Sequence, residues 1–167
     1  MEPLGISHLK ITKKLADFES MTILKRKLLV PETCIIRVYM ISGHNLAQRD
    51  IGSPSDPFIK VFIGKDVKND RDNWQLDQEN PDWHKSFDFQ GEFPGCPPLK
   101  VEVNDYDDLF GDDEIGTTSV DLEDRYFMAD WASMKEKPVE TRQLYHPSFK
   151  VSQGLVRMWV EIESSIK

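Results

Sequence analysis

Two stretches of this chain carry carboxylates at spacings that point to cation chemistry. The thirteen residues Asn104–Gly116, NDYDDLFGDDEIG, hold five aspartates and a glutamate around one apolar pair, Leu109-Phe110. Asp50 and Asp56 sit six positions apart in an earlier, turn-rich segment. Carboxylates this dense repel one another unless a cation or water takes up the charge. Hard oxygens crowded in this way suit Ca2+, which accepts about six to eight oxygen ligands in flexible geometry; Mg2+ prefers a stricter octahedron and keeps more water. Zinc fits poorly, because His8, His44, His84 and His146 are scattered and neither cysteine lies near the acids. An EF-hand is excluded. Counted from Asp105, its fifth and sixth positions would be Leu109 and Phe110, where an oxygen ligand and a glycine are needed. Acid–base catalysis by paired carboxylates is disfavoured too. There are too many carboxylates, with no nucleophile–base pair and no glycine-rich phosphate loop, so the chain does not read as an enzyme.

The rest of the composition bounds the function. The 167 residues are 39% hydrophobic and 30% charged, which is ordinary for a globular domain with a core. No apolar run approaches the roughly 18 residues of a membrane span, and no signal peptide is visible. Cys34 and Cys96 give no disulfide framework and fit a reducing compartment. A net charge of −8 argues against nucleic acid, and against simple electrostatic attachment to an anionic membrane. A membrane role therefore requires something that reverses the local sign.

The elements that must position the acids read as short strands. Cys34–Ser42, Pro57–Ile63, Trp83–Phe89, Leu99–Val103, Ile115–Leu122, Thr141–Tyr145 and Leu155–Ile162 alternate or are rich in β-branched and aromatic residues. A further strand is expected near Asn73–Leu76. Residues 1–30 read as a lead-in, polar and mildly helical at first, with a strand or linker at 20–30. The domain proper is 31–167. Glu123–Lys137 has apolar residues three and four apart, which gives a helical insertion between late strands. Trp83 and Trp159 are expected in the core. Lys65, Lys68 and Arg71 are interleaved with Asp66, Asp70 and Asp72, so they read as solvated surface rather than a phosphoinositide patch. The expected fold is all-β, an antiparallel eight-stranded sandwich. Its loops gather at two ends, so both acidic loops fit at one end.

The motifs resemble a known family. LAQRDIGSPSDPFIKV is similar to the first calcium loop of a C2 domain: an Asp, six residues to an SDP, then a strand. VEVNDYDDLFGDDEIG resembles its third loop, D-x-D followed by an Asp six residues after the second. ENPDWHKSFDF resembles the family's N-P-x-W/F and aromatic strand. KNDRDNWQLDQENP, SVDLEDRYF and QGLVRMWVEI are similar to the ferlins, large membrane-anchored proteins built of tandem C2 domains.

This resemblance implies a Greek-key sandwich that binds two or three Ca2+ ions. Asp50, Asp56, Asp105, Asp107 and Asp113 would be the carboxylate ligands, with backbone carbonyls of Arg49 and Tyr106 contributing. Asp108 stands where many relatives carry a basic residue. Asp112 and Glu114 are expected to be solvated. Ile51, Leu109 and Phe110 would touch the membrane. The implied function is calcium-dependent docking to anionic phospholipid, as one module of a larger ferlin-like protein of membrane trafficking, fusion or repair. That places it at the cytoplasmic face of a membrane, with other domains of its parent as further partners. The other reading is a calcium-independent interaction or structural module.

Overall fold

Period-two burial organises the structure, a computed structural model that describes residues 5–166. The strands are β1 (Glu32–His44), β2 (Pro57–Ile63), β3 (Asp66–Asn69), β4 (Asp82–Phe93), β5 (Leu99–Asp105), β6 (Asp113–Val120), β7 (Glu140–Gln143) and β8 (Leu155–Ser164). They make two four-stranded antiparallel sheets, ordered β4-β1-β8-β7 and β3-β2-β5-β6. In β1, Ile36, Val38 and Met40 face inward; in β5, Leu99, Val101 and Val103; in β8, Val156, Met158 and Val160. These rows meet between the sheets as one apolar cluster, the expected arrangement of a sandwich.

That alternation has a consequence at the end of β5. Asp105 follows Val101 and Val103 on the core-facing register, so an ionisable side chain is aimed into the end of the sandwich and is buried. A bulge accompanies it: Val103 pairs with Gly116 and Asn104 with Glu114, which leaves Ile115 as the extra residue in β6. Bulges of this kind bend a strand and re-aim its side chains. Gly116 is needed there because a Cβ would lie 3.0 Å from the Leu144 side chain and 3.2 Å from the Tyr145 carbonyl.

Three expectations are corrected. Residues 20–30 form no strand; 20–29 belong to α1 (Gly5–Leu29), a 25-residue helix, and Val30 lies just beyond its end. MTILKRKLL has no two-residue period and is rich in strong helix formers. Arg26 and Lys27 suit the last turn, and Val30, which precedes Pro31, is biased away from helix. Lys27 ties the helix end to the sandwich, donating to the Tyr126 carbonyl at 3.3 Å. The strand expected at Asn73–Leu76 is instead β3, several residues earlier, followed by a 3-10 turn at Arg71–Asn73. Trp159 is not in the core. It is half-buried on the outer face of its sheet, stacked on Tyr39 at 4.1 Å. Trp83 is buried as expected.

The helical insertion is two short helices, α2 (Leu122–Phe127) and α3 (Ala129–Ser133), which bury Leu122, Tyr126 and Trp131. Asp121 caps α2, its carboxylate accepting the Asp124 N–H at 3.1 Å. Asp121→Ala removes that cap and is expected to cost about 1 kcal/mol, measured as a lower urea midpoint at unchanged m-value. A midpoint equal to that of the wild type would show that the cap contributes nothing.

Candidate metal centre

Strand register brings the two acidic loops together. Pro57 pairs with Asp105, and Asp105 with Asp113, so Asp56, Asp105 and Asp113 lie at the same end of adjacent strands. The loops are stitched by main-chain bonds. The Asp56 N–H donates to Asp105 Oδ1 at 2.7 Å, and the Tyr106 N–H donates to the Asp56 carbonyl at 2.9 Å. The segment between β3 and β4 joins them: the Asp77 N–H donates to Asp56 Oδ1 at 2.7 Å, and the Gln78 N–H to the Ser55 carbonyl at 2.9 Å.

Each of three aspartates has one carboxylate oxygen held by backbone amides. Asp56 Oδ1 is held by Asp77 and Asp105 Oδ1 by Asp56. Asp107 Oδ1 accepts the N–H groups of Leu109 and Phe110 at 2.7 and 3.0 Å. The other oxygen of Asp105 is buried without a hydrogen-bond partner among the described residues, in a residue only 4% exposed. An orphaned buried carboxylate oxygen is costly. Burial pushes the Asp105 carboxyl above the ordinary carboxylate value, and the charges of Asp50 and Asp56 add to the rise against the opposing Asp56 N–H and Ser55 hydroxyl.

Asp50 and Asp113 are exposed. Among the described residues, no group of three or more His, Cys, Asp or Glu is gathered closely enough to hold an ion. An inward carboxylate oxygen without a partner, in the field of Asp50 and Asp56, has the hard-oxygen chemistry that would suit Ca2+.

Arg49 is expected for its carbonyl, but it is the side chain that the structure ties into the site. Its guanidinium donates to the Glu114 carbonyl at 3.0 Å, the Ile115 carbonyl at 2.6 Å and Gln153 Oε1 at 2.8 Å. It therefore braces the start of β6 beneath the acids. Burial pulls it below its ordinary value, while Asp105, Asp113 and Glu114 oppose that. Asp112 is not the solvated residue its composition suggested: it is half-buried and pairs with Arg71 through two bonds, 2.8 and 3.0 Å long. No local signal reveals this pair, because its members lie 41 positions apart. Glu114 is also partly buried, and Asp108 is exposed. Ile51, Leu109 and Phe110 stand out from the same end, the last two 85% and 91% exposed.

The family model for the C2 domain matches residues 34–143. The chain belongs to the C2 domain family. It is similar to mouse myoferlin, with 35% identity over 97 residues, 58% of this chain and 5% of myoferlin. The same figures hold for human myoferlin. The chain therefore spans a small part of the length of these relatives. Among solved structures, the A copy of the C2 domain from a plant extended synaptotagmin 1 superposes with a TM-score of 0.65 at 19% identity, covering 80% of this chain and 96% of that one. A calcium-bound form of the paired A and B copies from extended synaptotagmin 2 gives a TM-score of 0.63 at 20% identity, covering 80% and 46%. This C2 domain is thus a two-sheet sandwich related to a ferlin segment. Among its described residues no helix is long and apolar enough to cross a membrane.

Proposed function

We propose that this C2 domain is a calcium-dependent docking module for anionic phospholipid surfaces. The observation that carries the reading is the buried, unpartnered oxygen of Asp105 at the junction of the two acidic loops. Asp50, Asp56, Asp105, Asp107 and Asp113 would hold two or three ions, with the carbonyls of Arg49 and Tyr106 beside them. Bound Ca2+ supplies positive charge at the loop end. The carboxylates then cease to repel phosphate headgroups, and Ile51, Leu109 and Phe110 enter the interface. The contribution is on the order of 1.5–3 kcal/mol for a side chain fully buried and less at a headgroup boundary, enough for reversible docking. The calcium-bound state of extended synaptotagmin 2 supports calcium as the ion. The likeness to myoferlin supports a place in a larger, membrane-anchored ferlin-like protein of membrane trafficking, fusion or repair, on the cytoplasmic face, with other domains of that protein as further partners. The module acts by binding rather than catalysis.

Co-sedimentation with vesicles containing phosphatidylserine, run in Ca2+ and in chelator, tests this directly. Pelleting only with Ca2+ is expected. Equal pelleting in both conditions would point to the calcium-independent interaction module, and none in either would remove the lipid.

A further inference from the structure

The segment between β3 and β4 reaches the acidic site through one cation. Arg71 donates Nε to Asp112 Oδ2 at 2.8 Å and Nη2 to Asp112 Oδ1 at 3.0 Å. The same Nη2 lies 3.4 Å from the Asp107 carbonyl. Asp112 Oδ1 in turn accepts the Asp107 N–H at 3.1 Å. One ion pair therefore grips both polar main-chain groups of Asp107. The Asp107 carboxylate is left to cap Leu109 and Phe110 through Oδ1. Gly111, at φ +91°, makes the return that brings Asp112 back under Asp107. The clamp is itself packed: the Arg71 guanidinium lies 4.3 Å from the Tyr106 ring centroid, and that ring stacks on Trp74 at 4.5 Å. The pair is coupled in charge as well. Arg71 holds the Asp112 carboxyl below its ordinary range.

We propose that Arg71 is a positioning residue that, through Asp112, presets the 105–113 loop for cation binding. This rests on the reading of that loop as a calcium site. Charge alone says the opposite. A fixed cation beside the ligands repels Ca2+, so deleting it should tighten binding. A latch says that deleting it loosens the Asp107 main chain and weakens binding, because the loop must then be ordered when the ion arrives. The two accounts predict opposite signs for one substitution.

Calorimetric Ca2+ titrations of the wild type, Arg71→Gln, Arg71→Lys, Asp112→Asn and the Arg71→Gln/Asp112→Asn double variant separate them, with chelator melts of each as the control for folding. Arg71→Lys keeps the charge but loses the planar fork, so it is expected not to rescue. Both Arg71 variants should bind Ca2+ about five- to twentyfold more weakly, between the loss for an exposed ion pair and that for a fully buried charge-assisted hydrogen bond, as suits this part-buried pair. Their chelator melts should stay cooperative. In the Asp112→Asn background the latch is already open, so adding Arg71→Gln should leave affinity equal or tighter. Unchanged or tighter binding by Arg71→Gln in the otherwise native chain overturns the latch. So does an undiminished loss in the Asp112→Asn background. Should an Arg71 variant fail to melt cooperatively, Arg71→Lys against Asp112→Asn carries the same comparison, and equal affinity to wild type in both overturns the proposal. A wild type with no calcium heat defeats the calcium reading itself, which is a separate outcome from a wild type that binds while Arg71→Gln is unaffected.

Discussion

Asp105→Asn is expected to abolish the calcium response and to raise the melting temperature in chelator. Both effects come from one side chain. In the wild type, a ligand bound only to the folded state stabilises by about 2.7 kcal/mol at a hundred times its Kd. For a chain of this size that is a rise of about 5–10 °C. Asp105 is the inward carboxylate whose second oxygen has no partner, so its loss removes the response. In chelator the same group is a liability, a buried charge facing Asp50 and Asp56. Asparagine keeps an oxygen for the Asp56 N–H and places an amide toward the neighbouring carboxylates. The sign with pH is consistent. A carboxyl raised above its unfolded value binds its proton more tightly when folded. Its unfavourable contribution therefore grows as pH rises from the unfolded to the folded pKa and is complete above the latter. Calorimetric melts of both proteins, with Ca2+ and with chelator, decide the matter. A flat wild-type melt at millimolar Ca2+ would sink the calcium reading. A variant that still shifts fully would move the ion away from Asp105.

Much of the sandwich is legible in the sequence because its strands obey a local rule. Cys34–Ser42, Pro57–Ile63 and Leu99–Val103 each expose their period within a handful of residues, and the observed strands contain them. Where the period is weak, the reading slips. MTILKRKLL is apolar enough for a buried strand, but its helix is set by propensity and the following proline, and it has no strand partner among the described residues to override them. The NWQL segment is apolar for another reason: Trp74 stacks on Tyr106. The meeting of the acidic loops was foreseeable from antiparallel topology, and the contact of Asp56 with Asp105 follows from it. What spacing could not show is that Asp105 is buried while Asp50 and Asp113 stay exposed. Nor could it show the long-range cations. Arg49 reaches Ile115 across 66 positions, and Arg71 reaches Asp112 across 41. Such pairs are written in three dimensions only, and composition made Asp112 look like plain solvated surface.

The second large effect concerns the loop tips, and its value lies in separating ion binding from lipid binding. Leu109→Ser with Phe110→Ser is expected to weaken vesicle binding roughly ten- to a hundredfold while leaving Ca2+ affinity and the melting temperature in chelator unchanged. The two side chains are 85% and 91% exposed, so they bury almost nothing in the fold and their loss costs the core nothing. Surface substitutions of this kind usually stay within about 0.5 kcal/mol of neutral. Their main-chain N–H groups bond to Asp107 and are retained by serine, so the ligand geometry is preserved. On a membrane the same residues have a different reference state. Even at half the full-burial value, two such side chains contribute about 1.5–3 kcal/mol, which corresponds to roughly ten- to a hundredfold in partitioning. Electrostatic attraction would remain, so residual binding should fall steeply with added salt. Wild-type binding should resist salt more, because its apolar part is unscreened. If the double variant pellets as well as the wild type at physiological ionic strength, then Leu109 and Phe110 do not enter the bilayer, and docking is electrostatic alone. If it loses Ca2+ affinity instead, the pair belongs to the ion site's framework rather than to a membrane tip.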